Sequence, residues 1–379
     1  MTFLLTAEQE SIRDTARRFF RARAPVAHLR HLRDTDDATG FSREVWRAMA
    51  ELGLVGVALP AEHGGAGLGF AELGLVLEEQ GRNLAPTPLV STVLLGAGAI
   101  LHGGSPAQRA EVLPAVAAGE RVLALAHEEG TRHAPYRVRT TAARTGEGFR
   151  ISGEKVLVLD GHAADALVVV ARTSGGVADR HGLTLFLVPA AAAGLKAVRT
   201  PLVDSRGAAR VRFDGVAVGR ADVVGEIDCG AGILDALLDR AAIGLASEML
   251  GSLVEAFERT VAYLKERRQF GVPIGSFQAL KHRAAHLFAE IENTRSVVLA
   301  ALTALDEGVA DAPQLASLAK AKANLTLNLA SSEGIQMHGG IGMTDEHEIG
   351  FFLKRSRVAE ITFGSTGFHR DRYAALNGY

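Results

Sequence analysis

The stretch from Ile233 to Lys265 contains no proline and few glycines, so nothing within it interrupts a helix. Phe277 to Asp306 has the same character, and Pro313 to Glu333 follows. Helices this long bury their apolar stripes by packing on one another, so residues 230–379 are expected to form a bundle, antiparallel where the connections are short. Residues 1–120 are also helical, in shorter pieces. Phe3, Leu4, Ile12, Ala16, Phe19 and Phe20 recur at roughly helical spacing. Thr6 with Gln9 three residues later has the form of a capping box. A second helix is expected from Ser42 to Leu52, ending at Gly53. Leu59 to Gly67 reads as a loop from its glycine and proline content, and helices resume over Phe70 to Gln80 and Leu89 to Leu101.

Between these regions the texture changes. Val122–Ala126, Ala166–Ala171, Leu183–Val188 and Val211–Val218 are short apolar runs rich in β-branched residues, with turns at Gly146-Glu147-Gly148 and Ser174-Gly175-Gly176. Such spacing suits a compact, mostly antiparallel sandwich or barrel rather than a βαβ fold. The expected fold is mainly α with a central β-domain: a helical domain over 1–120, the β-domain over 121–229 and the bundle over 230–379.

A chain of 379 residues is long enough for two or three cores, and with 47% apolar residues a large buried interior is assured. The formal charge of −2 argues against a general nucleic-acid binder, because no net positive field is present to neutralise phosphates. Cys229 is the single cysteine, so no internal disulfide forms, and it reads as a small packed side chain. The N-terminus lacks a basic-then-apolar signal pattern, and the most apolar run, Leu89–Leu101, is too short to span a bilayer. A soluble cytoplasmic protein without membrane partners is expected.

Two motifs carry chemistry. Tyr263 to Gln278 reads as a helix end bearing guanidinium groups, a Gly/Pro turn, and a new helix starting with an aromatic and an amide. A turn of this kind can hold a diphosphate, since arginine offers forked donors and the next helix adds free N–H groups. By spacing alone it is equally an ordinary charged helix end followed by a loop. The second motif is Gln336-Met337-His338-Gly339-Gly340-Ile341-Gly342. Its glycines let backbone approach a ligand, and Gln336 can donate and accept. It is not a dinucleotide fingerprint, because it follows a helix and lacks the spacing.

Together and in this order the two motifs closely resemble the acyl-CoA dehydrogenase family, over nearly the whole chain. Leu5-Thr6-Ala7-Glu8-Gln9, Leu52-Gly53-Leu54 with Pro60–Gly67, Leu113-Pro114 with Gly119-Glu120, Gly153-Glu154-Lys155 and Phe213-Asp214-Gly215-Val216 are all similar to family segments. The resemblance implies the family's three-part fold, with FAD at a subunit interface and an acyl-CoA thioester as substrate. It also implies that Arg267, Gln269, Phe270, Gln278, Gln336, Gly339 and Gly340 bind the adenine–diphosphate end of a neighbouring subunit's FAD.

The chain departs from that pattern where the family carries its base. Removing the weakly acidic α-proton of a thioester calls for a positioned carboxylate, typically contributing on the order of 10²–10⁴-fold. The position just before the usual Gly-Thr falls on Phe363, and the alternative position on the first long bundle helix falls on Ala241, followed by Ala242. Asp239 and Glu360 are weak substitutes. Asp239 lies two residues from Ala241, about 200° around a helix, and so points elsewhere. The threonine or serine that bonds near the flavin ring aligns with Leu159, and the usual ring-contacting segment is replaced by Ala126-His127-Glu128-Glu129-Gly130-Thr131.

Groups offered to a neighbour's cofactor thus remain, while groups for the chain's own active site are gone. This division resembles the base-lacking subunits of actinobacterial heteromeric acyl-CoA dehydrogenases of the steroid side-chain type. It implies an oligomeric enzyme in which a base-bearing partner performs the desaturation. The alternatives are a homo-oligomeric flavoenzyme with altered chemistry and a non-enzymatic scaffold. No metal is expected: His282 and His286, spaced for one helix face, lack a third ligand nearby. His338 and His347 read as loop and cap contacts, and Gly64-Gly65 and Gly103-Gly104 as turns.

Overall fold

The structure, a computed structural model, describes residues 5–146 and 148–379. Phe3 and Leu4 of the first helical pattern and Glu147 of the expected turn lie outside the described residues. The helical pieces are α1 (Ala7–Arg23), α2 (Val26–Asp34), α3 (Arg43–Glu51), α4 (Phe70–Arg82), α5 (Gly98–Gly103) and α6 (Pro106–Ala117). Thr6 caps α1 with the expected box: its hydroxyl accepts Gln9 N at 3.2 Å and Gln9 Oε1 accepts Thr6 N at 3.0 Å. The Leu89–Leu101 run is not one regular helix, because Val90–Ala97 adopts π-helical turns before α5 begins. Within it the Thr92 hydroxyl bonds both the N–H and the carbonyl of Leu123 at 3.2 Å.

The β region comprises β1 (Leu123–Ala126), β2 (Thr141–Thr145), β3 (Gly148–Leu159), β4 (Ala166–Arg172), β5 (Leu183–Pro189), β6 (Leu195–Pro201), β7 (Gly207–Val218) and β8 (Val223–Val224). They make one sheet in the order β6-β7-β3-β2-β4-β5-β8, with β1 beside β4. The β1–β4 pairing and the single β2–β4 bridge are parallel, and the other pairs are antiparallel. β4 is buried throughout, which is why it reads as a continuous apolar run rather than an alternating one. β2 is mostly exposed and β6 has no buried residue, and they carry arginine, lysine and threonine, so sheet pairing rather than apolar patterning makes them strands. β3 is irregular, with register shifts after Ile151 and Lys155 and left-handed backbone at Leu157 (φ 51°) and beyond its end at Asp160 (φ 54°).

The C-terminal part holds α7 (Gly230–Glu266), a hairpin of β9 (Arg268–Gln269) and β10 (Val272–Pro273), then α8 (Gln278–Glu307), α9 (Ala312–His338), α10 (Ile349–Ile361) and α11 (Thr366–Leu376). By contacts the chain forms two compact units. One gathers residues up to His31 with Gly69–Ala85 and Ala242–Tyr379; the other gathers Leu32–Leu68 with Pro86–Ala241.

In the first unit α4 and α7 meet backbone to backbone. A β-carbon on Gly81 would lie 1.8 Å from the Glu248 carbonyl oxygen, and one on Gly251 would lie 1.8 Å from that of Glu78. No other residue fits either place. The crossing buries a polar network: the Glu248 carboxylate accepts Gln80 Nε2 at 3.3 Å and Arg355 Nη2 at 3.0 Å, while the Ser252 hydroxyl donates to the Gly81 carbonyl at 2.9 Å. Val26, Leu29, Leu84, Ala256, Ile349, Phe351 and Phe352 form a core cluster of the same unit. No helix among the described residues is long and apolar enough to cross a membrane.

Glu248 and Arg355 are both buried, so removing one leaves an uncompensated charge. Glu248→Ala is expected to cost about 3–5 kcal/mol of stability, whereas a paired replacement of both residues by apolar side chains costs less. Urea unfolding of the two variants measures the difference.

Candidate functional site

The diphosphate-type motif begins in the last turn of α7, crosses the β9–β10 hairpin and enters α8. The hairpin closes through Ile274 N to the Arg267 carbonyl at 2.8 Å, with Phe270 in left-handed backbone (φ 52°) at its tip. Phe277 caps α8 without a side-chain hydrogen bond, leaving that helix start open to an anion. The second motif ends α9. The structure brings the two together: the Tyr263 ring stacks on His338, with centroids 4.5 Å apart. Nearby, Arg283 of α8 pairs with Glu333 of α9 through Nε–Oε2 at 2.5 Å.

Arg267, Gln269, Phe270, Gln278, Gln336, Gly339 and Gly340 are all exposed. Phe270 is 91% exposed, and Phe277, Ile341 and Met343 of the same region are exposed as well. Gly339 turns the chain at φ 65°, and β-carbons at Gly339 or Gly340 would meet nothing within 4 Å. One guanidinium, three amides, an uncapped helix start and open space over two glycines fit the phosphate and base-edge end of a dinucleotide cofactor. The donors are exposed to solvent. His338 Nδ1 lies 2.7 Å from the Gly334 carbonyl, and His347 Nδ1 accepts Ile349 N at 3.2 Å, so these histidines bond locally; burial lowers the pKa of both.

At the two base positions the chain offers apolar side chains. Ala241 and Ala242 are buried on α7, and Phe363 is 5% exposed in left-handed backbone (φ 58°) after α10. The turn at Phe363 is held from two sides. His369 Nε2 lies 3.0 Å from the Phe363 carbonyl, and Lys320 Nζ donates to the carbonyls of Ala359 at 2.9 Å and Gly364 at 3.2 Å and to Asn324 Oδ1 at 2.7 Å. Lys320 is fully buried, and burial pushes its ammonium down to about 7. Asp239 is buried and engaged rather than solvated. Glu360 stands 3.9 Å from Arg357.

In the second unit Leu159 closes β3 opposite Ala208. The segment after β1 is ordered by polar contacts. Lys155, fully buried, donates to the His127 carbonyl at 3.1 Å and to Glu129 Oε1 at 2.8 Å; burial lowers its pKa to about 8, with Glu129 opposing. Next to it lies a cluster that sequence reasoning missed. His127 and His133 both face the Glu128 carboxylate, His127 Nε2 at 3.3 Å and His133 Nδ1 in a short hydrogen bond. Burial works to raise the Glu128 pKa, but the two imidazoles hold it well below the usual carboxylate range. The signal available was His127-Glu128 followed by His133; the loop that folds His133 back was not readable. Among the described residues this is the group of three whose ligand atoms come within 4.8 Å of one another. His282 and His286 are exposed on α8, and Cys229 is exposed.

A cavity of about 430 Å³ lies in the first unit between α1, α4, α7 and α8. Its floor includes Leu250, Val254, Val298 and Leu302, and its rim guanidiniums pair with carboxylates: Arg17 with Glu79, Arg82 with Glu258 and Arg295 with Glu78.

Comparison with known proteins agrees with this geometry. The acyl-CoA dehydrogenase N-terminal, middle and C-terminal domain models match residues 6–120, 124–216 and 228–376. The acyl-CoA dehydrogenase IpdE2 of Mycolicibacterium smegmatis is 30% identical over 353 residues, 93% of each chain. A variant of the Tcur3481–Tcur3483 steroid acyl-CoA dehydrogenase is 34% identical with a TM-score of 0.87, covering 98% of this chain and 97% of that one. The ChsE4–ChsE5 complex from Mycobacterium tuberculosis is 26% identical with a TM-score of 0.90, covering 100% of both chains. The chain belongs to the acyl-CoA dehydrogenase family. It has that family's arrangement of an N-terminal helical part, a central β part and a C-terminal bundle, and with membership come FAD as cofactor and oxidoreductase chemistry.

The Lys320 site gives a pH-dependent signature. Its folded-state value of about 7 lies below the ordinary 10.5, so between those limits the unfolded chain binds the extra proton. Stability should therefore rise with pH across that window and fall as pH drops toward 7. Lys320→Met should flatten this slope, as read from denaturation midpoints at pH 7, 8 and 9.

Proposed function

We propose that this chain is the base-lacking subunit of a heteromeric acyl-CoA dehydrogenase, completing the FAD site of a base-bearing partner. The observation that carries the reading is an asymmetry. Seven residues suited to the far end of a cofactor are intact and exposed, while Ala241, Ala242 and Phe363 offer no carboxylate where the family carries its base. Bound FAD supplies the hydride acceptor for α,β-desaturation of an acyl-CoA thioester. Arg267 neutralises phosphate charge with a forked donor, Gln269, Gln278 and Gln336 fix orientation through amide hydrogen bonds, and Phe270 covers apolar surface against the partner. Gly339 and Gly340 let backbone approach the ligand. The partner's carboxylate takes the α-proton.

The Tcur3481–Tcur3483 name joins two gene products and a steroid substrate class, and ChsE4–ChsE5 is a complex of two named chains. Both likenesses support an assembly of two different chains, and the first supports a bulky acyl group. The buried Asp239, two residues before Ala241, favours a second reading in which this chain is a homo-oligomeric enzyme with its own displaced base.

Purification alone and after co-expression with a base-bearing family member separates the two readings. The flavin spectrum is expected only, or far more strongly, in the co-expressed complex. FAD with turnover by the chain alone would overturn the proposal. In the complex Arg267→Ala should deplete bound FAD, whereas Asp239→Asn should leave turnover per flavin within about twofold, since an interaction absent from the transition state does not move kcat.

A further inference from the structure

We propose that His127, Glu128 and His133 bind one divalent transition-metal ion of the zinc class, on the segment that replaces the family's ring-contacting stretch and apart from the seven residues around Arg267 and Gln336. The three ligand atoms lie within 4.8 Å of one another. Their side chains are 7%, 12% and 5% exposed, so the cluster is enclosed rather than a chance surface grouping. His127 Nε2 is buried and has no hydrogen-bond partner, although it stands 3.3 Å from Glu128 Oε1. A buried imidazole nitrogen left unpaired carries its full desolvation cost, and a metal bond removes it.

The spacing suits the ion. Zinc bonds to nitrogen and oxygen of about 2.0–2.2 Å set tetrahedral donors roughly 3.4 Å apart, close to the His127–Glu128 separation. The two rings are edge-on, with centroids 6.1 Å apart at 73°, so both nitrogens can converge on one point without the rings stacking. His133 Nδ1 hydrogen-bonds Glu128; coordination replaces that bond, releases the proton to solvent and opens the contact to ligand spacing. Two imidazoles with one carboxylate select zinc, cobalt or nickel over calcium or magnesium, which take oxygen ligands. Three protein ligands leave a fourth position for water or an exogenous donor.

The surroundings hold the segment in place. Val156 N donates to the Glu128 carbonyl at 2.8 Å, anchoring it to β3, and Ala134 N reaches Glu128 Oε2 at 3.4 Å. Lys155 donates to Glu129 and the His127 carbonyl, and Glu129 also accepts Arg139 N at 2.7 Å and Thr140 N at 2.9 Å.

The test uses the full-length chain without a histidine tag, in whichever assembly it purifies, stripped with EDTA and titrated with zinc chloride by calorimetry. Cobalt chloride is added in parallel to read ligand-field absorption. One ion per chain is expected, with Glu128→Gln weakening binding at least tenfold, since even outer-shell changes cost ten- to a hundredfold. His133→Ala should do the same, and the double variant His282→Ala/His286→Ala should bind normally. Zinc should raise the melting temperature of the wild type and leave Glu128→Gln unmoved, which covers the case of a histidine variant that fails to fold. Absence of saturable binding, binding indifferent to Glu128→Gln, or loss of binding in the His282/His286 variant would each overturn the assignment. None of these readouts depends on flavin or turnover.

Discussion

Where α4 crosses α7, two glycines allow main chain to touch main chain, and the rest of the helical unit is set by that contact. A helix crossing with side chains between the axes can slide or roll; one with carbonyl oxygens seated in the place of β-carbons cannot. The buried Gln80–Glu248–Arg355 network then adds direction, because each polar group must meet its partner at bonding distance. With α7 locked, Tyr263 four turns along is placed to stack on His338, and the two cofactor-type motifs become neighbours.

That locked frame presents an uncommon surface. Phe270, nearly fully exposed at a hairpin tip, stands beside Arg268 and Gln269, whose side chains bond only to carbonyls of the same hairpin, and near the exposed Arg267. Exposed aromatic residues beside forked cationic donors are characteristic of surfaces that are covered in use. The places where a base would stand are the opposite in character. Ala241, Ala242 and Phe363 are buried and apolar, where a carboxylate would be costly without a partner. The turn at Phe363 is nonetheless held by Lys320 and His369.

The β-bearing unit spends its polar contacts differently. The segment after β1 carries Glu128, Glu129 and His127, with His133 and Lys155 of β3 turned toward it. Burial there makes each unpaired atom costly, and the His127 Nε2 nitrogen is one such atom.

Much of this was legible in the sequence, because helix length, capping and strand patterning are local properties. The proline-free stretch from Ile233 predicted α7 nearly to its ends, and Thr6 with Gln9 predicted a cap that formed as written. The stretches around Arg267 and Gln336 were legible as turns that end long helices, and the structure adds that they are exposed and adjacent, whereas Phe363 and Ala241 are buried. The misses are those where neighbours in space decide. β2 and β6 carry no apolar pattern and exist because other strands pair with them; the apolar run at Leu89 gained π-turns from packing against β1. The sequence by itself determined the order of helical and β segments and which chemical groups each carries, since periodicity and residue identity need no distant partner. Only the tertiary structure decided which of those groups meet, how deeply they are buried, and that His133 returns to Glu128 and Tyr263 to His338, because each contact depends on loop closure and packing that no local pattern encodes.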